Sequence, residues 1–528
     1  MYDLIIENGR IVDGTGNPWY LADIAVQDGR IVQIGRLQGQ SAVRRIDAKG
    51  LVVAPGFIDM HCHSDALLFV KPREEGKILQ GVTTETIGNC GMSATPVSDQ
   101  NLELLKKYTN SIFASIPLAW DWHGYGEFLD KVETQGCITN IASLVGHGTV
   151  RIAVMGFENR EPDARELTEM KQLVGTAIDE GAFGMSSGLI YPPGLFSKTA
   201  EMVELCKVVA AKGGIYTTHM RGETDNVLDS VQESIDVGEQ SGVSVEISHH
   251  KTAGKDNWGK SRLTLSMVEQ ARKRGVDITC DVYPYVAAST MLGALLPPWV
   301  HEGGIDRLLD RLQIAENRER IKAEMVNGVA GWENYVKAAG WDNIIIASCP
   351  GNTDYEGKSI TDIGKLRNIE SAEAVFELMV EEKADVLMVV FMMCEEDVTY
   401  IIQHPDVMVA SDAIPSPGKP HPRYYGTFPR VLGKYMRKDH AITLPEAIRK
   451  ISSMPAQKLG LRDRGLLKEG MYADITIFDE DVVEDKATFM NPQQYATGIE
   501  YVIVNGQVAV ENGMYSGMLA GKVLRKGH

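Results

Sequence analysis

The sequence predicts an α/β protein: a (β/α)8, TIM-like barrel that carries a small β-sandwich built from both termini and a lid-like insertion. Three observations predict it. Both ends of the chain consist of short β-branched runs broken by Asn-Gly and Asp-Gly turns. The middle alternates strand-like runs with helix-length amphipathic stretches, the pattern that builds a parallel sheet. Nearly every one of those runs ends in a residue able to do chemistry. The length of 528 residues exceeds an ordinary domain, but an α/β barrel absorbs about 250 residues or more as one unit.

The first fifty residues read YDLIIENGRIVDG, ADIAVQDGRIVQIG and RRIDAKGLVVAPG, with hairpin signals between the runs. The C-terminus repeats that texture in RGLLKEGMYADITIFDE, EYVIVNGQVAVENG and GKVLR. Residues 1–55 with 464–528 are therefore expected to form one sandwich, with 56–463 inserted between its halves. Eight barrel runs follow in order: VVAPGFIDMHCH, GVTTETIGNCG, NIASLVGHG, GAFGMSSGL, GGIYTTHM, SVEISHH, VDITCDVYPY and DVMVASDA. Plausible helices such as AEMVELCKVVAAKG and TLSMVEQARKRG lie between them. IIIAS at 344–348 and VLMVVF ending at Phe391 also look like strands. Both fall between the seventh and eighth runs, at about 284–405, a stretch too long for a loop and expected to hold a lid or subdomain.

Composition narrows the partners. Lys+Arg 53 against Asp+Glu 71 gives a net charge of −18, a poor match for nucleic acid or anionic lipid. The seven cysteines form no CxxC pair, which argues against a disulfide framework or zinc ribbon. The N-terminal residues lack the basic and apolar regions of a signal peptide, and no apolar run is long enough to span a bilayer. A soluble, cytoplasmic protein acting on a small molecule is expected.

Active sites of such barrels lie at the C-terminal ends of the strands. Here those ends carry His61-Cys62-His63, Cys90, His147, His219, His249-His250-Lys251, Tyr283 and Asp412. Residues i and i+2 of a strand share a face, so His61 and His63 point into the mouth together and Cys62 points away. Two adjacent imidazoles suit a divalent metal. Cys90, between Asn89 and Gly91, is a candidate thiolate ligand; the other cysteines read as core. His219 and His249 are one βα unit apart. Alternation leaves His249 and His250 both open; His249 is preferred because Lys251 then shares its face and can meet an anionic group. Asp412 follows an apolar run, where a carboxylate needs a partner; a metal and its water supply one.

Together these residues resemble the amidohydrolase superfamily, with HxH after strand 1, His after strands 5 and 6, and Asp after strand 8. NGRIVDGTG, PGFIDMHCHSD and ADITIFD extend the likeness over nearly the whole chain. GNCG, GHGTVR, SSGLIYPPG, THMR, SHHK, DVYPY and SDAIPSPGKPHPRYYGTFPRVL are similar to the N-acyl-D-amino-acid deacylases (D-aminoacylases). Hydantoinase-like and dihydroorotase-like relatives carry a bridging lysine after strand 4, and GAFGMSSGL has none.

The resemblance implies one tight zinc on Cys90, His219 and His249, with His61 and His63 forming a weaker second site. It implies hydrolysis of N-acyl-D-amino acids to a carboxylate and a D-amino acid. Asp412 would act as general base and then acid. Lys251, Tyr283 and Arg423 would grip the substrate carboxylate and Ser289 would orient the substrate, with Tyr191 and His147 also on the substrate side. The alternatives are a cyclic-amide hydrolase or an acylated-sugar-amine hydrolase of the same superfamily, and an inactive scaffold homologue.

Overall fold

The structure is a computed structural model describing residues 1–70, 75–113 and 115–527. Strands Tyr2–Ile11, Tyr20–Gln27, Arg30–Gly35, Ala42–Asp47 and Val52–Pro55 join Ile475–Phe478, Ile499–Val504, Gln507–Glu511 and Met514–Tyr515 in one nine-stranded sheet. Both termini thus build one unit. Its tight turns are those the dipeptides announce: Asp28-Gly29 and Asn505-Gly506 all have positive φ, as the hairpin turn that matches strand twist demands.

The expected sandwich is a single continuous sheet, and the reason lies at Asn8. There φ is +59° and the register shifts between Ile6 and Gly9. On one edge the first strand pairs with Ala42–Asp47 before this bulge and with Val52–Pro55 after it. A bulge bends and twists its strand, so the sheet turns over a shared core of Ile6, Ile24, Ile46, Ile475 and Ile503.

Eight parallel strands form the middle: β1 (Phe57–Asp59), β2 (Val82–Ile87), β3 (Asn140–Ser143, resuming at Val145–Gly146), β4 (Gly184–Gly188), β5 (Ile215–His219), β6 (Ser244–Ile247), β7 (Ile278–Val282) and β8 (Val407–Val409). They fall into two sheets, one of β1, β2 and the first part of β3, the other running from the second part of β3 through β4–β7 to β8. Only Leu144 separates the two parts of β3. At the other junction Cys62 bridges Ala413 in parallel, and the Ser411 N–H donates to Asp59 Oδ1 at 2.9 Å. Helices Ala164–Asp179, Thr199–Ala211, Val227–Ser241 and Ser261–Lys273 connect β3 through β7, each burying an apolar face.

Between β7 and β8 the chain forms a separate antiparallel sheet, in the order Ala287–Met291, Leu387–Phe391, Ile344–Ser348. Helices Ile305–Leu312, Ala315–Asn327, Ile360–Arg367 and Ser371–Glu381 belong to the same stretch. The two extra strand-like runs of the sequence are therefore strands of this second sheet. Among the described residues no helix is long and apolar enough to cross a membrane.

Candidate metal centre and active site

Three of the expected site residues stand just past strand ends in left-handed backbone: Cys90 after β2 (φ +53°), His249 after β6 (φ +37°) and Asp412 after β8 (φ +49°). Non-glycine residues pay of order 1–3 kcal/mol for that conformation and keep it only where the surroundings enforce it. The surroundings do. The His249 N–H donates to Asp281 Oδ1 at 2.7 Å, and the Asp412 N–H to the His61 carbonyl at 2.8 Å. The Cys90 turn packs onto Gly188, where any β-carbon would collide with the Cys90 carbonyl.

These turns aim their side chains at one point. Cys90 Sγ lies 3.2 Å from His61 Nε2, 3.8 Å from His219 Nδ1 and 3.7 Å from His249 Nε2. Asp412 Oδ1 is 3.3 Å from His61 Nε2 and 3.4 Å from His63 Nε2. Ligand atoms of His61, Cys90, His249 and Asp412 lie within 4.8 Å of one another, as do those of His219, Glu223 and His249. Cys62 turns away, its sulfur against the Thr86 carbonyl and Glu85. His250 also points elsewhere, its Nε2 2.8 Å from the Thr264 hydroxyl.

Burial opposes charge on Cys90, but His61 and the hydrogen-bonding rings of His219 and His249 outweigh it and hold the thiol well below its ordinary pKa. Asp412 is likewise buried, yet Arg423, His249 and His61 keep it well below the usual carboxylate range. Both shifts favour the anionic form.

Pocket residues around the cluster include Tyr191, Lys251, Tyr283, Ser289 and Tyr335. Tyr191 stacks edge-on against His219 and hydrogen-bonds the Thr290 hydroxyl at 2.8 Å. Arg423, fully buried, places Nη1 2.7 Å from Asp412 Oδ2 and donates from Nη2 to the Ser289 carbonyl at 3.1 Å. Its Nε has no hydrogen-bond partner among the described residues. The Tyr283 ring lies between two cations, Lys251 at 5.3 Å and Arg423 at 4.8 Å. Lys251 is already engaged: Nζ sits 2.6 Å from Glu223 Oε1 and 2.8 Å from His249 Nδ1.

His147 is the expected site residue that the structure does not bring to the cluster. It opens the helix His147–Met155, and its Nε2 lies 2.7 Å from Glu201, which also pairs with Arg151 at 2.5 Å. A buried carboxylate held between a histidine and an arginine is a structural ion-pair network away from the cluster.

Glu223 escaped the sequence reading. Its Oε1 lies 3.0 Å from His249 Nδ1, the geometry of a carboxylate that orients a ligand ring. Glu333, in the stretch between β7 and β8, holds Glu223 in turn: it accepts from the Glu223 N–H at 3.0 Å and from the Thr224 hydroxyl at 3.0 Å. The only local signal for Glu223 is its position four residues after His219.

A sulfur, four imidazoles and an aspartate at the ends of parallel strands define a metal-dependent hydrolase site, and sequence comparison agrees. The amidohydrolase family model matches residues 44–510, so the chain belongs to that family. Within it the chain belongs with the N-acyl-D-amino-acid deacylases. It is 36% identical to the N-acyl-D-glutamate deacylase of Alcaligenes xylosoxydans xylosoxydans, over 96% of this chain and 93% of the relative. It is also 36% identical to the D-aminoacylase of the same organism, over 99% and 98%. The crystal structure of N-acyl-D-glutamate deacylase from Bordetella bronchiseptica, complexed with zinc and a phosphonate inhibitor, superposes with a TM-score of 0.84 at 34% identity, covering 99% of each chain. L-hydantoinase from Arthrobacter aurescens, at 15% identity and a TM-score of 0.57, shares the fold alone.

Proposed function

We propose that this protein hydrolyses the amide bond of N-acyl-D-amino acids, using zinc held at the strand ends. One observation carries the reading: a single sulfur faces three imidazole nitrogens at 3.2–3.8 Å beside an ionised aspartate. One thiol proton cannot satisfy three imidazoles. Donor atoms around a tetrahedral zinc, by contrast, stand about 3.5 Å apart, and zinc takes both sulfur and nitrogen. The site therefore fits the ion. Cys90, His219 and His249 would hold it tightly, and His61 and His63 would form the weaker second set. When bound, zinc supplies a Lewis acid that polarises the scissile carbonyl and activates water.

The chain's own residues do the rest. Asp412 takes the proton of the attacking water and returns it to the leaving nitrogen, the work of a general base that then serves as acid. Arg423 keeps Asp412 ionised for the first half of that task. Its unpartnered Nε and the Tyr283 hydroxyl, which has no well-aligned protein partner among the described residues, are donors left over beside Asp412. They are the natural grip for the substrate carboxylate, since a guanidinium can donate to both oxygens. Lys251 supports that end electrostatically while it and Glu223 fix the His249 ring. Ser289 and Tyr191 line the space where the acyl-amino acid lies.

Two architectural readings support this arrangement. We read β1–β8 as one closed (β/α)8 barrel at 56–463, because Leu144 is the only break at one junction and Cys62–Ala413 bridges the other. The barrel carries a lid-like insertion at about 284–405 and rests on a terminal domain, 1–55 with 464–528, whose one bent sheet closes over its own core like a small sandwich. Closure brings Cys90, on β2, across the mouth from His219 and His249.

Metal analysis together with a panel of N-acetyl-D- and N-acetyl-L-amino acids tests the proposal. Bound zinc with turnover of the D-series alone is expected. Equal rates on both hands would overturn the D-specific assignment and leave a metal hydrolase of other specificity.

A further inference from the structure

Beside the metal cluster lies a second, larger cleft, which shares Tyr191 and Tyr335 with the catalytic pocket. Its floor comes from the segments that follow β2, β3 and β4: Tyr108, on the helix Leu102–Thr109, with Phe157, Ile190 and Leu195. Its roof comes from the insertion: Met291, Leu296, Leu308, Trp332 and Met379. Nothing assigned so far to the reaction occupies it. One wall group is conspicuous: the Tyr108 hydroxyl is buried with no hydrogen-bond partner among the described residues. A buried, unpaired hydroxyl is costly, so it marks a place where something else supplies the bond.

We propose that this cleft receives the acyl chain of the substrate, and that the protein acts on N-acyl-D-amino acids whose acyl group is large and uncharged. The inference rests on the deacylase reading and deepens it. In an N-acyl amino acid the carboxylate and the acyl chain lie at opposite ends of the amide. The carboxylate grip, Tyr283 and Arg423, follows β7 and β8. The cleft floor follows β2–β4, across an eight-membered ring of strands from β7 and β8. With the scissile carbonyl at the cluster between them, the group extending toward β2–β4 is the acyl chain. The amino-acid side chain branches from the other end.

The charges of the cleft decide its chemistry. Lys107 is neutralised by Asp306 at 2.6 Å. His301 is held down to about 4 by desolvation and is uncharged at neutral pH. Glu333 adds a carboxyl group, not a cation. No free positive charge among the described lining residues awaits an acidic acyl group such as succinyl, and the apolar walls favour an alkyl or aryl chain.

The test varies one end of the substrate at a time. On the zinc-loaded protein, kcat/KM is measured for acetyl, hexanoyl, phenylacetyl and succinyl derivatives of D-leucine, then for N-acetyl derivatives of D-alanine, D-leucine and D-phenylalanine. Hexanoyl and phenylacetyl should exceed acetyl by about tenfold or more, the usual scale of discrimination by an apolar pocket, and succinyl should fall below acetyl. Ala294→Phe, which fills the cleft, should cut the hexanoyl-to-acetyl ratio by about tenfold. It should equally weaken calorimetric binding of phenylacetate to the metal-free protein, a readout independent of turnover. An acetyl optimum, or an Ala294→Phe effect confined to the D-side-chain series, would overturn the acyl assignment and leave the deacylase reading intact. Absence of turnover across both series in metal-replete protein would overturn both.

Discussion

Asp412 and Arg423 form a buried ion pair, with Oδ2 and Nη1 2.7 Å apart, on the one stretch of chain that leads out of β8. The pair joins the two halves of the proposed reaction. In that proposal its acidic member handles protons and its basic member holds the substrate.

Replacing Asp412 with Asn should keep the zinc and lower kcat by roughly two to four orders of magnitude, the scale of a lost general acid/base. Steady-state kinetics with metal analysis on the same sample checks this. Near-normal turnover in a folded variant would exclude Asp412 from proton transfer.

Arg423→Ala should raise KM sharply for N-acyl-D-amino acids and also erode the ratio of D to L rates. In the proposed grip the guanidinium fixes one substituent of the α-carbon, and misplacing a reacting group by about 1 Å can cost on the order of 10²-fold. Equal loss on both enantiomers with an unchanged ratio would show that the grip lies elsewhere.

Cys90→Ala should lose the tight metal and the activity together. Chelation of the unmodified protein should lower its melting temperature, and zinc should restore it, because a ligand bound only by the native state stabilises that state. Full zinc content in Cys90→Ala would return this sulfur to the core.

The His147–Glu201–Arg151 network predicts acid sensitivity in the fold. Burial holds His147 below its ordinary pKa despite the neighbouring Glu201. The unfolded chain therefore binds its proton more readily, so this contribution to stability is full above about pH 6.5 and is lost as pH falls below it. His147→Gln should show a smaller drop in melting temperature between about pH 7.5 and 5 than the unmodified protein. A larger drop would contradict a neutral, buried imidazole.

Most of the cluster was legible because strand periodicity and strand ends are written locally. His61 and His63 follow from two-residue alternation, and Cys90, His219, His249 and Asp412 each terminate an apolar run. His147 obeys the same local rule yet lies outside the cluster, because a helix begins at that residue and Glu201, fifty-four positions away, claims its ring. Glu223 and Glu333 were invisible for the complementary reason. Each looks like an ordinary surface glutamate, and only tertiary packing across 110 positions buries them together. The bend of the terminal sheet was hidden in one residue, Asn8, whose turn-forming dipeptide Asn8-Gly9 sits inside a strand instead of ending it.

The contact of Glu333 with the Glu223 backbone makes the insertion and the metal site parts of one thermodynamic cycle. Glu333 belongs to the insertion, and Glu223 braces the ring of His249. Any displacement of this stretch that breaks the contact would slacken that brace. By reciprocity, loading the ion must press the insertion down with the same coupling free energy. Amide hydrogen exchange would read this directly: zinc should slow exchange around Glu333 as well as around Glu223.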